Sequence, residues 1–184
     1  MTEAREILAS SAEPRSTIRL SGPESLWSYQ LPALPQRCRH EYPDIRLVFQ
    51  PQSSSELLSS IRQGDLDVAF LLERPQDGTG LSGEPLMIEP LVIVAPADHR
   101  LSGTTTLSLN ELSRESILVT EPGCTSRASF LDALADAGVR PNAALEFGSV
   151  EAIKQCVLAG MGITMPPVFA VQSEIAERRL PPLP

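Results

Sequence analysis

The chain has 184 residues, a formal net charge of −8, 42% hydrophobic residues and a mean hydropathy of −0.02. That length can bury a core for one large domain or two small lobes, and the composition excludes a chain too polar to fold. With 15 Lys and Arg against 23 Asp and Glu and no basic block, the chain lacks the clustered positive charge with which proteins grip a phosphate backbone.

Other classes fall away on similar grounds. Aromatic residues make up only 4%, too few for a platform that stacks single-stranded nucleic acid. Three cysteines without motif spacing fit a reducing compartment better than a disulfide framework. The N-terminal MTEAREILASSAEPRS has no apolar signal core, and no later run approaches the ~20 apolar residues that cross a bilayer. A cytoplasmic protein without membrane contact is expected.

Residues 3–12 place Ala4, Ile7, Leu8 and Ala12 on a loose apolar stripe ending before Pro14. It reads as the tail of a longer helix or a frayed terminus, too short to fold alone. A regular alternation then begins: strand 17–21, a turn through Gly22–Pro23, and a helical pattern of Trp27, Leu31, Leu34 and Cys38 up to Tyr42–Pro43. Pro32 and Pro35 inside that pattern predict a kink or an irregular turn, because proline lacks a backbone donor. Strand 45–50, helix 55–63 stopped by Gly64, and strand 66–72 follow. Strands and helices alternating over short connections predict a parallel sheet with right-handed crossovers.

Residues 73–83 are rich in Pro, Gly and Asp and read as a surface loop. Two strands are expected at 84–88 and 91–95, then a polar passage, PADHR and Ser102–Thr106, into a second lobe. There the alternation repeats: a short helix 108–112, strand 117–120, loop 121–125, helix 126–137 ended by Gly138, and strand 144–147. Ser149 is a good N-cap for a helix whose Val150, Ile153, Cys156 and Val157 form one apolar face, with Gly160 stopping it and Ile163 starting a buried strand. A helix at 169–178 and the tail LPPLP close the chain. A tail ending on prolines is expected to have no partner strand, and the final elements of the first lobe to be missing.

The order and local sequences of IRLSGPES (18–25), LPALPQRCRHEYPDIRL (31–47), ELLSSIRQGDLDVAFL (56–71), EPLVIVAPADHRL (89–101), TEPGC (120–124) and FGSVEAIKQCVLAGMGI (147–163) resemble the effector-binding domain of LysR-type transcriptional regulators. The match covers about residues 17–168. The resemblance implies an α/β, two-lobed, periplasmic-binding-protein-like (type II) fold. In it each lobe is a mostly parallel sheet flanked by helices, and two crossover strands join the lobes. On that basis residues 1–15 are the tail of a linker helix, 16–95 lobe I, 96–165 lobe II and 166–184 the return segment into lobe I. It further implies a small-molecule effector in the interlobe cleft, with an organic acid or anion as candidate, and self-association as a dimer or tetramer. DNA would be reached only through a helix-turn-helix domain that this chain does not contain, and the chain reads as a fragment or truncated frame. A solute-binding receptor of the same fold working in transport is the alternative, and the lack of a signal sequence counts against it.

In open α/β sheets, ligands bind beyond the carboxyl ends of the strands. Four loops qualify: 22–25, 51–54, 121–125 and 147–149. The candidate ligand-binding residues on them are Ser25, Ser53, Ser54, Cys124, Thr125, Phe147, Gly148 and Ser149. The resemblance places Ser25 and Ser54 where a hydroxyl commonly meets ligand. Each hydroxyl could instead be a helix N-cap, which contributes ~1 kcal/mol on its own, and Phe147 could be cleft wall or core. Cys124 stands before a helix and near Arg127, where a thiol can be activated, although no second cysteine is close in sequence. Cys38 and Cys156 read as small core residues on apolar helix faces.

No cofactor, metal or catalytic residue is expected. The Gly160-Met-Gly162 pair follows a helix rather than a strand, so capping and tight packing explain it better than a dinucleotide loop. His40 and His99 stand alone without ligand spacing, no G-x-S-x-G elbow is present, and Asp65 and Asp67 read as solvated turn residues.

Overall fold

The computed structural model describes residues 16–52, 54–73 and 80–184. The expected helix at 3–12, Ser53 and most of the loop at 73–83 lie outside the described residues. The chain forms two compact units, one ending at Leu71 and the other running Leu72–Pro184. The second unit therefore takes in the stretch from Leu72 to Ala95 and the return segment from Pro166, beyond the expected lobe II.

The first unit is a parallel sheet in the order β2-β1-β3, with β1 at Ser16–Ser21, β2 at Ile45–Phe49 and β3 at Val68–Ala69. β1 pairs with β2 along five residue positions, from Ser16–Ile45 to Leu20–Phe49. Helix α1 (Glu24–Tyr29) stops short, and α2 (Ala33–Glu41) starts anew with Pro32 as its N-cap. The expected interruption is there: Pro32 and Pro35 sit in and before a first turn, where a missing N–H costs no helical hydrogen bond. Helix α3 (Ser54–Gln63) returns the chain toward β3.

β3 is much shorter than the expected 66–72, because it meets β1 only at Leu20–Val68 and Ser21–Ala69. Its entry is pinned by Asp67, whose Oδ2 accepts from the Arg19 backbone N–H at 2.7 Å and whose carboxylate meets the Arg19 guanidinium at 3.2 Å. Asp67 is thus ion-paired rather than merely solvated. The hydrogen bonds and charge of Arg19 hold its carboxyl below the usual value.

The second unit is built on β4 (Ser116–Thr120) and β5 (Ala143–Phe147), parallel and in register from Ser116–Ala143 to Thr120–Phe147. Ile163 extends the sheet on the other side of β4 as a parallel bridge to Ile117. Residues 91–94 then run antiparallel to 164–167 through the bridges Leu91–Pro167 and Val94–Thr164. β4 is buried on both faces: Ile117 and Val119 join one core cluster with Phe130, Leu134 and Leu101, while Leu118 joins another with Ile153, Val157 and Val171. A continuous apolar run is what such a doubly covered strand requires.

Four helical segments cover this sheet: a 3-10 turn at Leu109–Arg114, α4 (Thr125–Asp136), α5 (Val150–Leu158) and α6 (Val168–Ala176). Two expectations fail. Residues 84–88 form no strand and have no ladder partner among the described residues, leaving Leu86, Met87 and Ile88 at 73%, 67% and 95% exposure. An apolar run becomes a strand only where another backbone meets its N–H and C=O groups. The prolines of the tail do find a partner: Pro182 bridges Val94, Leu183 donates its N–H to Ile93 O at 2.8 Å, and Leu180 and Leu183 are buried. Alternate residues of an edge segment point their N–H groups away from the sheet, so proline is tolerated there.

Candidate functional site

The carboxyl edge of the first sheet gathers Gly22–Ser25 after β1 and Pro51–Gln52 after β2. Ser25 is 6% exposed and is the second residue of α1, whose N-cap is Pro23. The simple capping explanation for Ser25 is therefore excluded. Ser21 donates its hydroxyl to the Gln50 carbonyl, tying the β1 and β2 ends together. Trp27 stands edge-on to Phe49 and Phe70, with ring centroids 4.6 and 5.6 Å away. Its indole N–H and the Gln52 side-chain carbonyl are both buried without a hydrogen-bond partner among the described residues. Ser54 is the first residue of α3.

In the second unit the chain turns from β4 into α4 through Glu121–Cys124. Cys124 is the N-cap residue but makes no side-chain cap. Its sulfur lies 3.3 Å from Ser126 Oγ, and Thr125 opens the helix. Ser149 is the N-cap residue of α5 in extended backbone, also with no side-chain cap hydrogen bond. Phe147 is partly buried against the core cluster of Leu118 and Ile153, and Gly148 is exposed with open space about its Cα. Cys156 packs on the same cluster as expected, whereas α2, which carries Cys38, has no buried residue.

Between the ends of β4, α4 and α5 lies a narrow crevice of about 20 Å³, bordered by Thr120, Ser126, Arg127, Val150 and Met165 among others. That volume holds little more than one water-sized group. Thr120 is 7% exposed, and its hydroxyl has no hydrogen-bond partner among the described residues. A buried hydroxyl left unsatisfied costs about 1–3 kcal/mol. Arg127 donates from Nη1 to the Thr120 carbonyl and to Glu146 Oε2, each at 2.6 Å.

None of the five second-lobe residues singled out from sequence borders the crevice. Their immediate neighbours Ser126 and Val150 do, as does Arg127. Thr120 was within reach of sequence reasoning, since it is the one polar residue ending the buried run Ile117–Val119. The Arg127–Glu146 pair, 19 residues apart, carried no local signal. Nor did the partners of His99, whose Nε2 lies 3.0 Å from Glu115 Oε2 while its Nδ1 accepts from the Leu101 N–H. His99 is therefore not isolated.

A family model described as the LysR substrate binding domain matches residues 11–184. The chain is 36% identical over 169 residues to YwqM of Bacillus subtilis (strain 168), an uncharacterized HTH-type transcriptional regulator, covering 91% of this chain and 57% of that protein. It is 32% identical over 184 residues to the HTH-type transcriptional regulator CbbR of Xanthobacter flavus, covering 98% of this chain and 54% of CbbR. Among solved structures, the regulatory domain of CcmR from Synechocystis PCC6803, in complex with 2-PG, superposes with a TM-score of 0.81 at 26% identity. That match covers 92% of this chain and 80% of the CcmR chain. The chain thus spans little more than half the length of these curated relatives.

Proposed function

The chain belongs to the LysR substrate-binding-domain family, and we propose that it is the effector-sensing part of a LysR-type transcriptional regulator, taking up a small organic acid or anion at the carboxyl edges of its parallel sheets. The observation that carries this reading is the Thr120 hydroxyl, buried at the end of β4 beside the first turn of α4 with no partner among the described residues. A ligand oxygen placed there satisfies the hydroxyl and meets the N–H groups that the helix leaves unpaired. Arg127 adds a fixed positive charge at the same place.

Sensing requires that the effector bind one arrangement of the protein better than another, because equal affinity shifts nothing. The reading divides the chain into a linker-helix tail (1–15), lobe I (16–95), lobe II (96–165) and a return segment (166–184). It assigns the output to a dimer or tetramer in the cytoplasm, acting on DNA through a helix-turn-helix domain outside these residues. No helix among the described residues is long and apolar enough to cross a membrane.

Ser25 and Ser54 are the groups of the first unit proposed to meet effector. A thermal-shift screen of small organic acids and inorganic anions should yield a stabilising compound. Replacing Ser54 with Trp should then weaken calorimetric affinity for that compound by about tenfold or more while leaving the fold intact. Unchanged affinity would remove Ser54 from the site.

A further inference from the structure

We infer that Glu146 is an internal competitor for the ligand's anionic group, holding the Arg127 guanidinium that a carboxylate or phosphate oxygen takes over on binding. This rests on the reading of the Thr120 crevice as a ligand site, and adds what that site recognises and what opposes it.

Arg127 is the third residue of α4, so it stands in the first turn, where backbone N–H groups lack helical partners and the helix dipole is positive. It borders the crevice together with Thr120 and Ser126. Its hydrogen bonds to the Thr120 carbonyl and to Glu146 Oε2 both use one nitrogen, Nη1. A guanidinium carries five N–H donors in a planar fork suited to a two-oxygen acceptor. Glu146 engages only part of that capacity, and a ligand carboxylate or phosphate can engage more.

The two sides of the pair are unequally buried: the Arg127 side chain is 22% exposed and that of Glu146 is 51% exposed. An ion pair with one partner half in water is weak and easily exchanged. Glu146 sits next to the end of β5 and can release Arg127 into solvent-facing rotamers of its own. Thr120, 7% exposed and with no hydroxyl partner among the described residues, borders the same crevice. With about 20 Å³ available, the crevice takes one oxygen of the ligand's anionic group and leaves the rest of the ligand outside. Glu146 thereby sets a threshold: neutral analogues cannot displace it, and anions must outcompete it.

The test is an NMR titration of the 184-residue chain at constant ionic strength, following the amides of Thr120, Ser126 and Arg127. The probes are acetate, inorganic phosphate and neutral acetamide. Acetate or phosphate should move these resonances and acetamide should not, and the relative affinities of acetate and phosphate assign the headgroup. Glu146→Gln should tighten the effective anion by roughly threefold to fivefold. That gain should vanish in an Arg127→Gln background, which separates competition at the guanidinium from the mere loss of a nearby negative charge. Should Arg127→Gln not fold, Arg127→Met keeps an unbranched chain without charge or donors and should likewise lose the gain. Anion-induced shifts at these amides with unchanged affinity in Glu146→Gln, or a gain that survives either Arg127 variant, would overturn the competition but leave the ligand site standing. Absence of shifts there for every probe, in both the wild type and Glu146→Gln, would overturn both.

Discussion

At the scale of single residues, two positions show opposite uses of tight packing. Gly162 has φ of 150°, and a Cβ placed on it would lie 2.1 Å from the Ser116 carbonyl oxygen and 2.9 Å from Leu118 Cδ1. The residue lets the strand at Ile163 press against β4, where Ile163 N–H donates to Ser116 O at 2.9 Å. Gly162→Ala should therefore cost about 2–4 kcal/mol in urea unfolding, from backbone strain and overpacking together. Thr120 is the reverse case, a site that forgoes stability. Thr120→Val fills the same space without an unsatisfied hydroxyl and should raise unfolding stability by about 1 kcal/mol, as expected where function requires a group that folding does not.

At the scale of elements, the contact between α5 and α6 is built on buried charge. Lys154, 6% exposed, reaches Glu151 at 2.7 Å and the buried Glu174 at 3.2 Å, and Arg179 adds a further contact to Glu174 at 3.3 Å. Burial alone pushes the Glu174 carboxyl up. Hydrogen bonds from its own backbone N–H, Ser173 and Lys154, with the Lys154 charge, carry it below its usual value. A carboxylate with a lowered folded-state pKa stabilises above its unfolded pKa of ~4.3, and that contribution is lost as pH falls through the folded value. Glu174→Gln should cost about 2 kcal/mol at pH 7, the remaining Glu151 contact limiting the damage. The gap between wild type and variant should close below about pH 4. A gap that stayed constant down to pH 3 would contradict the assignment.

Elements also show why some of the architecture was legible in the sequence. β1, β2, β4 and β5, and the helices between them, follow from apolar runs punctuated by Gly and Pro. Pro32 marked the break between α1 and α2 for a purely local reason. The misses are non-local. Residues 84–88 have the composition of a strand without a partner among the described residues, and the proline tail has the composition of a loop with one, at Ile93–Val94. The candidate site divides the same way. The loops at the carboxyl edges were legible as loops, but which side chain enters the crevice depends on the register of β4 against β5 and on Arg127 reaching Glu146.

At the scale of the whole molecule, a charge of −8 without a basic block leaves these 184 residues short of the clustered Lys and Arg that grip a phosphate backbone. In a mobility-shift assay at 150 mM salt the 184-residue chain should not retard duplex DNA, since phosphate binding scales with the number of Lys and Arg contacts. The proposed ligand sensing instead rests on the edge of β4. The most direct measurement is the melting shift that a stabilising small acid or anion produces in the wild type and in Thr120→Val, read at equal ligand concentration. Thr120→Val should melt higher than the wild type without ligand and lose most of the ligand-induced shift. An equal shift in both proteins would contradict it.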